Sequence, residues 1–202
     1  LYNDDPRLGD ARLCGTTASL CGVEAARKAK DPAALRQALD LDCMLHTFMF
    51  TLSGIPVEYS GDEIAQENDN AYHDDPLKAA DSRYLHRGSL DWEKACLRSA
   101  PGTPEAQVFS LFRQLEEVRA AHRVFDTTAD TWLLSTGSDQ LLGIGRYCRG
   151  EKLLALFNFG DEEQIAWLQD PSEYADLISG ESCDAGAVRV PAKSFRWLLQ
   201  AM

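Results

Sequence analysis

Near Asp126 the spacing of apolar residues along this chain changes, and few folds accommodate the change. Upstream, Leu35, Leu39, Leu41, Leu45, Phe48 and Leu52 recur near the helical period, and Met44 and Met49 widen the stripe. Val108, Leu111, Phe112, Leu115 and Val118 form a second stripe of the same kind. Downstream, short β-prone runs follow one another at 131–135, 141–148, 153–159, 164–168, 174–178, 188–190 and 195–199. Gly137-Ser138-Asp139, Arg149-Gly150-Glu151, Gly160-Asp161 and Gly180-Glu181 separate them. Regular short strands with turns between them predict an antiparallel β-sandwich. The domain boundary accordingly falls near Thr127, with a helix-rich part over 1–126 and the sandwich over 127–202.

Within the first part, Tyr2 to Arg12 reads as loop. Thr16 or Thr17 caps a helix running to about Lys30, and Asp31-Pro32 caps the next, with proline in its first turn. That helix runs into Ser53-Gly-Ile-Pro-Val-Glu-Tyr-Ser-Gly-Asp-Glu63, which is short, β-prone at Val57 and Tyr59, and closed by Gly61. It reads as a buried strand delivering a loop to an active-site face. Gly54 suits the end of the helix, and Pro56 the start of a strand. A polar stretch to about Gly102 follows, too long for an ordinary connection, and its Asp, Asn, His, Arg and Trp content suits a sugar site better than a linker. Thr103-Pro104-Glu105 opens a helix reaching about His122.

The formal net charge of −12 argues against nucleic acid or an anionic membrane as partner. No window is apolar for long enough to span a bilayer. The six cysteines (Cys14, Cys21, Cys43, Cys96, Cys148, Cys183) are scattered, without the paired spacing of a zinc site. They read as free thiols in a reducing compartment, the cytoplasm. No metal ligands cluster, so neither metal nor cofactor is expected. His46, on an apolar helix face, and His122, at a helix end, read as structural. Trp132, Trp167 and Trp197 lie within strands and read as core.

Gly54, Pro56, Tyr59, Gly61 and Glu63 resemble the last barrel-strand signature of the alpha-amylase superfamily, whose catalytic domain is a (β/α)8 barrel. Lys78-Ala-Ala-Asp-Ser-Arg-Tyr-Leu-His-Arg87 is similar to the eighth loop of amylosucrases and related sucrose hydrolases. Tyr2-Asn3 through Gly9-Asp10-Ala11-Arg12 to Gly15-Thr16 is similar to the end of their extended seventh loop. The resemblance runs in order over nearly the whole chain. It implies an α+β portion of a larger enzyme: the final helix-strand-helix part of a (β/α)8 barrel, followed by an antiparallel C-terminal β-sandwich. A lone parallel strand needs flanking strands, and such a barrel takes roughly 250 residues. The missing N-terminal part of the same enzyme is therefore an expected partner, and in this chain taken alone residues 1–125 should be the less well anchored part.

The resemblance implies a retaining mechanism, with a nucleophilic carboxylate and a carboxylic acid about 5 Å apart. In the family both come from strands before residue 1, as does the acidic residue that holds the glucosyl hydroxyls, so no residue here is assigned a catalytic role. Expected substrates are sucrose and an α-glucan acceptor. Arg83 matches the family arginine that pairs with an upstream aspartate beneath the glucosyl pocket. A guanidinium fork can bind a carboxylate and still donate to a sugar hydroxyl. Arg12 and Asn3 match the leaving-group or acceptor side, and Asp81 is expected to orient the Arg83 loop. His86 and Arg87 belong to the motif, with structural roles equally in view. Glu58 and Ser60 depart from the family strand. Two rival readings stand beside this one: a non-catalytic carbohydrate-binding module, and a superfamily member of other specificity, such as a trehalose synthase, a sucrose phosphorylase or an α-glucosidase.

Overall fold

A computed structural model describes residues 1–7, 9–170 and 172–201. These form two compact units, one of residues 1–42 and 58–110, the other of residues 43–57 and 111–202. This division differs from the expected boundary at Thr127, since residues 43–57 and 111–126 group with the β part.

The first unit opens on a hairpin, β1 (Tyr2–Asp5) and β2 (Asp10–Arg12), antiparallel with Tyr2 opposite Arg12. The expected loop at 2–12 is therefore two short strands. Thr16 caps α1 (Thr17–Cys21), accepting from the Ser19 amide. Gly22, at φ 104°, breaks the expected single helix and starts α2 (Val23–Ala29). Helix α3 (Pro32–Thr51) begins where Asp31 accepts from the Ala33 and Ala34 amides, both at 3.0 Å. The long polar stretch is built from one-turn pieces: 3-10 turns at Asp62–Ile64, Asn70–Asp74 and Ser82–His86, then α4 (Trp92–Leu97). Asp69, Asp81 and Asp91 each cap one of them with a carboxylate. Thr103 then caps α5 (Pro104–Ala121).

The stretch 53–63 is not a strand. Residues 55–59 carry no ladder, Ile55 and Val57 are exposed, and the segment closes in a tight turn at Gly61. All strand pairs among the described residues are antiparallel. A parallel strand needs neighbours on both sides, and among the described residues no strand pairs with 55–59, so the barrel portion implied by the resemblance is not shown here.

The second unit is the β part. Strands β3 (Asp130–Leu134), β4 (Leu141–Cys148), β5 (Glu151–Asn158), β7 (Glu173–Asp176), β8 (Ser182–Asp184) and β10 (Phe195–Ala201) form one antiparallel sheet, ordered β3-β4-β5-β10-β7-β8. Strands β6 (Gln164–Ala166) and β9 (Val188–Val190) form a second, two-stranded sheet. Both contribute to one core, in which Leu154, Leu156, Tyr174 and Leu198 meet Ala166, Val188 and Val190. The strand absent from the sequence reading, β8, is polar Ser-Cys-Asp, and only pairing with β7 makes it a strand.

The other side of the large sheet takes the C-terminal end of α3. Phe48 meets the Phe157 ring edge-on at 5.5 Å, and Trp197 donates from Nε1 to Thr51 Oγ1 at 2.8 Å. Trp197 is fully buried, as expected of a core residue. Trp132 and Trp167 correct that expectation: they are 36% and 60% exposed. His46 is buried with its ring 4.7 Å from Phe112, and His122 Nδ1 lies 3.1 Å from Glu151 Oε1.

Candidate functional site

In the first unit three stretches distant in sequence converge on the turn Ser82–His86. Asp81 starts the turn: Oδ1 accepts from the Arg83 amide at 3.0 Å and from Arg83 Nε at 2.8 Å, while Oδ2 accepts from Nη2 at 2.6 Å. The side-on fork leaves the Nη1 end of the guanidinium outside the pair. Arg83 also lies over the Tyr2 ring, with Cζ 4.5 Å from its centroid. The hairpin that carries Tyr2 is tied to the same turn, since Ser82 Oγ donates to the Leu1 carbonyl at 3.0 Å and meets Cys14 Sγ at 3.5 Å. The Gly15 amide donates to His86 Nδ1 at 3.4 Å, and the Tyr59 ring stands edge-on to the imidazole at 5.9 Å. The Asp69 amide donates to the Leu85 carbonyl at 2.8 Å, and the Thr16 amide to Asn68 Oδ1 at 2.8 Å, so the polar stretch holds both ends of the cluster.

The electrostatics follow from these contacts. Arg83 hydrogen bonds hold the Asp81 carboxyl down to about 2, and Asp81 in turn raises Arg83. Burial lowers His86, the Arg87 charge adds to this, and Asp81 opposes it. Asp81 is therefore ionised and committed near neutrality, and cannot serve as a proton donor. His86 is neutral and accepts a backbone hydrogen bond. The arrangement gathers a fixed cationic donor, an aromatic ring and a hydroxyl within one small area, groups able to meet a polyhydroxylated ligand.

Asp81 and Arg83 thus sit together. Arg12 lies on β2, exposed, opposite Tyr2 in the hairpin, and so borders the cluster. Asn3 is on β1, but its side chain lies outside the described residues. Arg83 takes its carboxylate from Asp81, two residues away. Tyr2, Ser82 and Cys14 were not singled out as site residues. Hairpin pairing of Tyr2 with Arg12 is the signal that links the first stretch to the turn, and it requires seeing 2–12 as strands rather than loop. Among the described residues no group of three or more His, Cys, Asp or Glu side chains is placed to hold a metal ion, and no helix is long and apolar enough to cross a membrane.

No family model matches the chain. The amino acid transporter heavy chain SLC3A2 of Oryctolagus cuniculus is 32% identical over 149 residues, which is 69% of this chain and 26% of that protein. Among solved structures, an Anoxybacillus alpha-amylase matches with a TM-score of 0.56 and 20% identity over 84% of this chain and 35% of its own. AmyP bound to maltotriose matches with a TM-score of 0.65 and 14% identity over 81% of this chain and 35% of its own. The cyclic alpha-maltosyl-(1→6)-maltose hydrolase of Arthrobacter globiformis matches with a TM-score of 0.56 and 18% identity over 84% of this chain and 32% of its own. The chain spans about a quarter of the curated relative and about a third of these structures. At such identities the likeness shows the fold: this chain has the fold of the C-terminal part of alpha-amylase-fold proteins, and its structural neighbours are glycoside hydrolases of that family.

Proposed function

We propose that this chain is the C-terminal portion of a retaining, α-glucoside-active enzyme that cleaves sucrose and transfers glucose to a glucan or to water. The portion supplies substrate-pocket residues and the β part, and the reacting carboxylates come from sequence before residue 1. The observation that carries this reading is the fork of Arg83 on Asp81 over the Tyr2 ring, assembled from the two stretches that resemble amylosucrase loops. In the complete protein Arg83 donates from its free Nη1 end to a sugar hydroxyl or an upstream aspartate. Arg12, on the adjoining strand, contributes on the leaving-group side. The glycoside hydrolases among the structural neighbours support an α-glucan as substrate class.

The experiment is incubation of the full-length protein with sucrose. Fructose release is expected, with kcat/KM lowered about tenfold to a hundredfold in Arg83→Ala, the cost of one charge-assisted hydrogen bond or slightly more. Absence of fructose release overturns the reading. A second reading is favoured by the SLC3A2 relative, whose 32% identity exceeds that of the amylases above: the parent is then a heavy chain of an amino acid transporter. That reading expects co-purification with an amino acid transporter, without fructose release from sucrose.

A further inference from the structure

The second unit carries a cleft that the function above leaves unused. It has a volume of about 330 Å³ and lies beside the edge strand β3, lined by Trp132, Ser135, Lys152, Gln169 and Asp170 among others. Trp132 stands opposite Gly145 in the β3–β4 ladder. A Cβ placed on Gly145 would come within 2.2 Å of the indole Cε2 and 2.4 Å of Cζ2. The ring therefore occupies the space over Gly145 that a side chain there would take, and Trp132 remains 36% exposed. A planar aromatic set against a sheet and still partly exposed, lining a cleft of leucines and polar side chains, is a platform rather than a core contact.

The polar side is equally fixed. Asp170 Oδ2 takes Lys152 Nζ at 2.5 Å and the Tyr174 hydroxyl at 2.7 Å, and Oδ1 accepts from the Ser172 amide at 3.2 Å. These donors hold the Asp170 carboxyl far below the usual range, and burial followed by the Asp170 contact pushes the Tyr174 hydroxyl up to about 12. A charged pair whose members are already positioned costs little ordering entropy on binding. An apolar face with convergent polar groups, at the small end of the ligand-pocket range, fits a pyranose. Its C–H face is apolar and its rim is all hydroxyl.

We propose that this cleft is a second, non-catalytic sugar-binding site, with one pyranose of an α-glucan stacked on Trp132 and its hydroxyls bonded to Lys152 and Asp170. The stacking geometry stands on the structure alone, while the choice of an α-glucan rests on the function proposed above. The 202-residue chain is titrated with maltoheptaose by tryptophan fluorescence and run in a native gel containing glycogen. Trp132→Ala is expected to weaken binding about tenfold or more, Trp132→Phe less, and Trp167→Ala, which alters an exposed tryptophan outside the cleft, not at all. Lys152→Gln carries the test if Trp132→Ala fails to fold. The proposal is overturned if the wild-type chain is not retarded, or if Trp132→Ala binds as wild type does. Equal binding of cellohexaose overturns the α-glucan assignment. Fructose release by the full-length protein without glucan binding by the chain removes this site and leaves the function above intact. Glucan binding without fructose release does the reverse.

Discussion

Single side chains in this molecule settle matters that no stretch of sequence announces. Arg146 is fully buried in β4 and faces backbone oxygens. Nε donates to the Val124 carbonyl at 2.6 Å, Nη1 to Thr51 O at 2.9 Å and Ser53 Oγ at 3.1 Å, and Nη2 to Asp126 O at 3.0 Å. Arg119 adds bonds to the carbonyls of Phe50, Leu52 and Gly54. Two cations therefore satisfy the orphan carbonyls at the C-terminal end of α3, where the helix dipole also favours positive charge. Burial lowers both arginines, and at Arg146 the nearby Arg119 adds to it. Arg146→Met leaves several carbonyls dry and unpaired, so a loss of about 3 kcal/mol is expected by urea unfolding. A change under roughly 0.5 kcal/mol would mean that water takes over the role. Asp81 gives a pH prediction. Its folded value of about 2 lies below the ordinary 3.8, so its contribution is complete above 3.8 and is lost as pH falls through 2. Amide exchange at Arg83 should be constant from pH 4 upward, after correction for intrinsic rates, and rise below it, while Asp81→Asn should show the raised value at neutral pH.

At the scale of elements, the caps and stops were legible and the pairings were not. Thr16, Asp31 and Thr103 cap where their side chains say they should, because an N-cap is decided within four residues. The break at Gly22 has no local mark: the Ala-rich run past it favours helix, and only the backbone at φ 104° shows the turn. An alanine Cβ there would meet only Ala38 Cβ, at 3.8 Å, so Gly22→Ala costs conformation alone. About 1 kcal/mol is expected in chemical denaturation, and a neutral result would show that the α1–α2 break relaxes. The β runs after Asp126 were found because alternation and glycine turns are local. The stretch 53–63 misled because β-propensity describes a residue that fits a sheet, and here no sheet surrounds it.

For the molecule as a whole, the two units differ in how they are built. The first relies on a short hairpin and one-turn pieces joined by side-chain caps, whereas the second has a sheet whose strand β5 is buried from Leu153 to Asn158. Native-state hydrogen exchange should therefore give the slowest amides in β4, β5 and β10, and much faster exchange at 59–90. Uniform protection would refute this ordering. The sequence alone determined the helix caps, the switch of period and the seven strands with alternation or turns. It also pointed to the Asp81–Arg83 motif, because each of these is written within a few neighbouring residues. Only the tertiary structure decided that Tyr2 lies under Arg83, that Ser182–Asp184 pairs, that 53–63 stays unpaired, and that Trp132 and Trp167 face solvent while Trp197 does not. The physical reason is common to all of them. Burial and pairing depend on what a distant segment offers, and a residue carries no local mark of the partner it will meet.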